Sequence, residues 1–167
     1  AIAVMLALLC KVALLALLGS VGLSVMVGAV FAGHVVSRTW PLLTIRLLPH
    51  VGDTAQSKSK PLADQITLAA LAVALAWCLS ALALVVYAQA AMLLIAHASS
   101  GVATSAGVWL IAVACSLLAW GWMHRWFAKR LQGFTGDCLG AAQQVSEIAF
   151  YLGLALAWGL WPAGATP

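Results

Sequence analysis

The run Ile66 to His97, ITLAALAVALAWCLSALALVVYAQAAMLLIAH, continues for 32 residues without one Asp, Glu, Lys or Arg. A helix needs about 20 apolar residues to cross the hydrocarbon core of a bilayer, and this run exceeds that length by about ten residues. We predict one tilted or kinked membrane helix that surfaces near Tyr87 and Gln89. A short re-entrant piece is the alternative.

Four more apolar segments accompany this run in a chain that is 65% hydrophobic and 7% charged, with a mean hydropathy of +1.08. Soluble domains carry about 25% charged residues, so a water-soluble fold is excluded. Backbone groups in lipid must be satisfied within the protein, and no segment alternates as a barrel strand would. The sequence predicts an all-α, polytopic transmembrane helix bundle of about five spans, in one integral-membrane domain over residues 1–167. The four segments are Ala1 to Leu18, Val21 to Leu48, Val108 to Trp126 and Ala141 to Trp161.

Two polar loops, about residues 49–65 and 127–140, contain or adjoin most of the basic residues, whereas the other connections carry no charge. Positive charge is typical of cytoplasmic loops, so both loops should lie on the cytoplasmic face. The net charge of +4 fits this topology and requires no nucleic-acid partner. The chain begins at Ala1 within an apolar segment, and we therefore expect an amino-terminally truncated part of a longer protein. Four scattered cysteines predict neither a disulfide nor a zinc site.

Charged residues inside apolar segments cost several kcal/mol unless they face protein or water. Glu147 is the only acid within a predicted span, and its partner should be Lys11, Arg38 or a residue outside this chain. Lys11 itself either contacts an anion, pairs with an acid in the part of the protein that lies outside this chain, or extends its amine to the membrane interface. Glu147 also belongs to a polar stripe on an otherwise apolar helix, formed by Gly140, Gln144, Glu147 and Tyr151.

His34 and Arg38 are four residues apart and share a helix face. Pro41 lacks an amide hydrogen and should bend the chain at Thr39-Trp40-Pro41. Arg38 would then lie beside an interruption suited to binding a phosphate. His34 is either functional or a core histidine bonded to a neighbouring carbonyl.

The loop that follows Lys129 and Arg130 reads LQGFTGD, and an apolar helix should begin after it at Cys138 or Leu139. A helix amino terminus beside basic residues is a natural anion site, and Gly133 and Gly136 would let the backbone approach a ligand. Asp137 is either the helix cap or a carboxylate that holds magnesium or orients an attacking hydroxyl.

The loop from Pro49 to Gln65 also has two interpretations. Lys58 and Lys60 contact either anionic headgroups or the phosphates of a nucleotide, while Asp64 caps the next helix or orients these lysines. Trp120, Trp122 and Trp126 are typical of a membrane-interface belt.

The run Lys129 to Glu147, KRLQGFTGDCLGAAQQVSE, resembles the carboxy-terminal signature of cobalamin synthase, the adenosylcobinamide-GDP ribazoletransferase family of vitamin B12 assembly. Val36-Ser37-Arg38, the Ser59 to Asp64 stretch and Lys11 also fall where that family has similar residues. The resemblance covers most of the chain. The family's aspartate-rich motif has no counterpart in these 167 residues, so we expect this fragment alone to be inactive.

The resemblance implies a multi-pass transferase of the bacterial cytoplasmic (inner) membrane, in contact with membrane lipid. It would join adenosylcobinamide-GDP to α-ribazole, or to α-ribazole 5'-phosphate, giving adenosylcobalamin or its 5'-phosphate and GMP, with Mg2+ as cofactor. Asp137 and Glu147 would be the catalytic carboxylates, with Asp137 as a magnesium ligand. Oligomerisation is left open. The implied substrate- and phosphate-binding residues are Lys11, Arg38, Lys58, Lys60, Lys129, Arg130, Thr135 and Gly136.

Two other classes of protein remain as alternatives. A lipid enzyme similar to the CDP-alcohol phosphotransferases would share the topology, but its spaced-aspartate signature is absent from this sequence. A non-enzymatic transport subunit would use Glu147 as a proton or ion site. It would not explain two basic, glycine-containing loops on one face.

Overall fold

A computed structural model of the chain describes residues 2–51, 66–95 and 102–160. Over these ranges it consists of five α-helices and an isolated β-bridge, with no strand. The all-α prediction is confirmed. The helices are α1 (Ile2–Val21), α2 (Leu23–Leu47), α3 (Leu68–Ile95), α4 (Val102–Arg130) and α5 (Gly136–Leu160).

Helix α2 is the centre of the bundle, since it contacts each of the other four helices. Its buried face carries Ala29, Ala32 and Gly33, small residues that allow close helix contact in membranes. A Cβ atom at Gly33 would lie 2.6 Å from Cε1 of Tyr151 in α5, so no larger residue fits without a shift. These contacts bring the polar residues of α2 and α5 together.

The outer surface of the bundle is apolar. Trp77 in α3 and Leu118 in α4 are 72% and 73% exposed, as expected for side chains that face lipid. Three helices are long and apolar enough to cross a membrane, namely Ile2–Val21, Leu68–Met92 and Ala106–Arg130. Together with the apolar outer surface, they indicate a membrane protein. Helices α2 and α5 have 25 residues each, about 38 Å, but carry more polar residues. The five-span count stays a prediction for those two.

Helix α3 is one continuous helix of 28 residues, so the re-entrant alternative is wrong for the described part of this segment. Gln89 donates a hydrogen bond from Nε2 to the carbonyl of Ser24 at 2.9 Å, which ties α3 to the start of α2. Tyr87 is 73% exposed.

The predicted interruption after Arg38 is wrong, because α2 continues through Pro41 to Leu47. The proline removes only its own amide bond, and contacts between α2 and α4 hold the helix on both sides of it. Trp40 Nε1 donates to Ser116 Oγ at 2.8 Å, and Trp120 Nε1 donates to Thr44 Oγ1 at 2.9 Å. Arg38 therefore lies on the exposed face of an unbroken helix.

The predicted loops meet at one end of the bundle. Val51 donates its amide to the Phe134 carbonyl and Phe134 donates its amide to the Pro49 carbonyl, both at 3.0 Å. The start of the 49–65 loop is thus hydrogen-bonded to the connection between α4 and α5. Residues 52–65, including Lys58, Lys60 and Asp64, lie outside the described residues.

Candidate functional site

Glu147 is the centre of a polar cluster that joins three helices. Its carboxylate is buried, with 3% of the side chain exposed. Lys11 of α1 donates to Oε2 at 2.6 Å and Tyr151 of α5 donates to Oε1 at 2.8 Å. A buried charge of this kind is tolerated when it is paired and hydrogen-bonded, and Glu147 satisfies both conditions.

The third partner of Glu147 is His34 of α2. Its Nδ1 lies 3.2 Å from Glu147 Oε1, while 49% of the His34 side chain remains exposed. The interpretation of His34 as a core histidine bonded to a carbonyl is therefore wrong. The ring bridges the buried carboxylate and the outer surface of α2.

Lys11 is only 13% exposed at its side chain, and its amine is bound to Glu147. It does not extend to the interface, so the ion-pair alternative is the one that the structure confirms. Its role in binding a substrate phosphate stays a prediction.

Arg38 lies one helical turn beyond His34 and is exposed. Both side chains line an open groove of about 520 Å³ along the outer face of α2. Among the described residues, Arg38 has no ion-pair or hydrogen-bond partner, so its guanidinium is available to an anion. The other lining residues are Met26, Val27, Val30, Phe31 and Val35.

The second group of candidate residues lies at the start of α5. The helix begins at Gly136, earlier than the predicted start at Cys138 or Leu139, because Thr135 acts as the cap. Thr135 Oγ1 accepts the Cys138 amide at 3.4 Å, and the Thr135 carbonyl accepts the Leu139 amide at 3.2 Å. Asp137 is consequently not the cap. It is exposed in the first turn, without a side-chain partner in the part of the chain that the structure describes.

The glycines around Asp137 differ in what surrounds them. A Cβ at Gly133 would lie 2.4 Å from the Pro49 carbonyl oxygen, so this glycine serves the contact between the loops and not the approach of a ligand. Gly136 and Gly140 have open space where a side chain would be. The start of α5 thus presents bare backbone beside a free carboxylate.

The two predicted catalytic carboxylates are not close together. They are ten residues apart on one helix, which corresponds to about 15 Å along its axis. Within the described ranges, no group of three or more His, Cys, Asp or Glu side chains could hold a metal ion. Asp137 could supply one oxygen ligand to a magnesium ion, which proteins usually hold through one or two carboxylates and substrate phosphates.

Lys129 and Arg130 are the last two residues of α4. Both are exposed, and they lie next to the connection that leads to Asp137.

The three tryptophans predicted to form a membrane-interface belt differ in exposure. Trp122 and Trp126 are exposed, as a belt requires, but Trp120 is not a belt residue of that kind. It stacks on Trp40 with the ring centroids 5.9 Å apart and bonds Thr44. It fastens α4 to α2.

Sequence reasoning named Lys11 as one of three possible partners of Glu147, beside Arg38 and a residue outside this chain, and the structure selects Lys11. It missed the contact to His34. The spacing of His34 and Arg38 showed only that they share a helix face. The available signal was the set of small residues in α2, since Gly33 precedes His34 and packs against Tyr151 of α5. Which helix packs there is a tertiary property.

Comparison with known proteins assigns the family. The family model for cobalamin-5-phosphate synthase matches residues 1–155. An adenosylcobinamide-GDP ribazoletransferase of Albidiferax ferrireducens is 65% identical over 156 residues, covering 93% of this chain and 55% of the relative. Proteins with the same name from Polaromonas naphthalenivorans and Shewanella piezotolerans are 52% and 35% identical, over 93% and 96% of this chain and 55% of each relative.

No solved structure matches the chain. The chain spans about half the length of the curated relatives it matches. The part matched by the family model includes α1, α2 and α5 as far as residue 155. It therefore contains Lys11, His34, Glu147 and Tyr151, as well as the turn from Thr135 to Asp137. The chain belongs to the cobalamin-5-phosphate synthase family.

Proposed function

We propose that this chain is part of a transferase that joins adenosylcobinamide-GDP to α-ribazole, or to α-ribazole 5'-phosphate, and releases GMP. One observation carries the proposal. The segment Lys129 to Glu147 bears the most specific resemblance. In it, Asp137 is exposed at the capped amino terminus of α5 and has no side-chain partner among the residues that the structure describes. Relatives that share this segment are named adenosylcobinamide-GDP ribazoletransferases.

Basic residues and backbone amides at two places are proposed to bind the phosphates of the substrate. At the end of α4, Lys129 and Arg130 attract the diphosphate, and the amide groups in the first turn of α5 bind its oxygens together with Thr135 and Gly136. Arg38 supplies a second cationic contact on the groove of α2. Positioning and charge stabilisation are the principal means by which proteins catalyse such transfers.

Magnesium is the proposed cofactor, and it would offset negative charge on the diphosphate. Asp137 would provide one ligand, with the remaining ligands coming from beyond the described residues. Lys58 and Lys60 are proposed to contact the nucleotide. We also propose the bacterial cytoplasmic membrane as the location, with the loop pair on its cytoplasmic face.

The test is turnover of the full-length protein that contains this chain, reconstituted in lipid vesicles with adenosylcobinamide-GDP, α-ribazole and Mg2+. Chromatography should detect GMP and a cobalamin product in equal amounts, and omission of Mg2+ should abolish both. Replacing α-ribazole by its 5'-phosphate identifies the preferred acceptor.

In the same assay, Asp137→Asn should lower kcat by about a hundredfold or more, because the substitution removes the free carboxylate that binds the ion or orients the acceptor. Its thermal unfolding should match that of the wild type, since Asp137 is exposed and does not cap α5. Unchanged turnover of this variant would eliminate Asp137 from the mechanism. Absence of GMP release from the wild type would refute the proposed function.

A further inference from the structure

We infer that the groove between α1 and α5 binds the aromatic base of the ribazole acceptor, an inference that rests on the proposed function. The groove has a volume of about 420 Å³, and both helices line it. Its walls include Val4, Ala7 and Leu8 of α1 and Gly140 and Gln144 of α5. This volume lies within the range of about 300–1,000 Å³ that is usual for small-molecule sites.

Asp137 lies on the helix face that borders this groove. Gly140, Ala141 and Gln144 follow it at offsets of three, four and seven residues, the spacing of one face of an α-helix. Along the helix axis, Gly140 is about 4.5 Å from Asp137 and Gln144 is about 10 Å from it. An acceptor that lies along the groove therefore has one end beside the exposed carboxylate of Asp137, at the turn where the diphosphate is proposed to bind.

The ion pair between Lys11 and Glu147 lies one helical turn beyond the groove. Leu8 precedes Lys11 by three residues, and Gln144 precedes Glu147 by three. The contact of 2.6 Å between Lys11 Nζ and Glu147 Oε2 holds α1 against α5 at this level. The ion pair thereby sets the separation of the two walls.

The lining of the groove suits a flat apolar group with few polar atoms. Its walls are aliphatic, and Gln144 has the one polar side chain among the lining residues that the structure describes. Of the two proposed substrates, adenosylcobinamide-GDP is far larger than this groove, whereas the base of α-ribazole is a two-ring apolar group. The dimensions of the groove therefore favour the acceptor.

Gln144 is the residue of the groove that can hydrogen-bond the acceptor. Its side chain is exposed, and its amide has no hydrogen-bond partner within the described ranges. The amide offers both donors and an acceptor, which match the ring nitrogen and the hydroxyls of a nucleoside. A lipid acyl chain in the groove would leave this amide unpaired, at a cost in free energy.

The experiment uses the full-length protein in vesicles with adenosylcobinamide-GDP, α-ribazole and Mg2+, and replaces Gly140 by leucine. A Cβ at Gly140 meets nothing within 4 Å, so Gly140→Leu fills the groove without displacing a neighbour. KM for α-ribazole should rise about tenfold or more, while kcat and the KM for adenosylcobinamide-GDP change less than about threefold. Gly121→Leu is the matched control, at a glycine of α4 with equally open surroundings, and should keep both KM values.

A second pair of variants tests the polar contact. Gln144→Leu should raise the KM for α-ribazole by about threefold or more, because it removes the hydrogen-bonding amide. Gln143→Leu alters the adjacent glutamine, which does not line the groove, and should leave this KM unchanged. Equal KM values in these two variants would remove Gln144 from acceptor recognition.

A wild-type KM for α-ribazole in Gly140→Leu would overturn the inference and leave the proposed function intact. A loss confined to kcat, or a rise confined to the KM for adenosylcobinamide-GDP, would do the same. A thermal midpoint lowered by Gly140→Leu but not by Gly121→Leu would show that another segment of the protein or a lipid fills the groove, and would also overturn the inference. An inactive wild type would instead reject the proposed function, and the inference with it.

Discussion

Helix α5 carries two acids in contrasting surroundings. Glu147, halfway along the helix, is 2% exposed and has Lys11, His34 and Tyr151 as partners from three helices. Asp137, in the first turn, is exposed and has no side-chain partner in the described ranges. A carboxylate in an apolar interior persists only when the fold supplies partners, whereas one at a helix end can remain free for a ligand. Glu147 is thus held by the fold, whereas Asp137 is available for the proposed role toward substrate and metal.

Removing the Lys11 amine is the strongest test of this contrast. Lys11→Met should destabilise the bundle by about 3–5 kcal/mol, because it leaves Glu147 as a buried charge without its closest cation. The free energy of unfolding in mild detergent, from denaturant titration followed by helicity, is the measurement.

The matched control for that experiment is the double variant Lys11→Met with Glu147→Gln. With both charges gone, most of the lost stability should return, and the difference between single and double variants gives the coupling energy. A single variant as stable as the wild type would show that buried Glu147 does not need Lys11 as a partner. The contrast between a carboxylate that requires partners and one that does not would then be wrong.

A change at the loop junction has the next largest expected effect. Gly133→Ala should cost about 1–3 kcal/mol, because a Cβ would lie 2.4 Å from the Pro49 carbonyl oxygen and push the two loops apart. Gly121→Ala is the control, since a Cβ there meets nothing within 4 Å in the middle of α4. Equal thermal midpoints for these two variants would show that the 49–51 and 133–134 contact is not formed.

Substitutions in the first turn of α5 have the smallest expected effect on stability, and they test which residue caps the helix. Thr135→Ala should cost about 1 kcal/mol, because it removes the cap from the Cys138 amide. Asp137→Ala should cost less, since its carboxylate bonds nothing in the described structure. A larger loss for the aspartate variant in the same thermal unfolding assay would return the capping role to Asp137.

Two errors of sequence reasoning have different physical origins. Pro41 predicted a break because it lacks an amide hydrogen, yet α2 continues through it, fastened to α4 by Trp40 and Trp120. The candidate cap in the sequence is Asp137, whereas Thr135, another residue type that caps helices well, accepts the Cys138 amide. Contacts between distant segments decided the outcome at Pro41, and a local hydrogen bond decided it at the start of α5.

Composition is enough to predict the helical, membrane-embedded class, because a chain with 65% hydrophobic and 7% charged residues can satisfy its backbone in lipid in few ways. The sequence also marked Glu147 as a residue that needs a partner, since an isolated charge among apolar side chains is costly. The packing of the helices, which composition does not reveal, brings Lys11, His34 and Tyr151 to that carboxylate and leaves Asp137 without a side-chain partner among the described residues. Partners 113 and 136 residues apart along the chain are selected by helix packing, which depends on how small residues such as Gly33 let α2 and α5 approach.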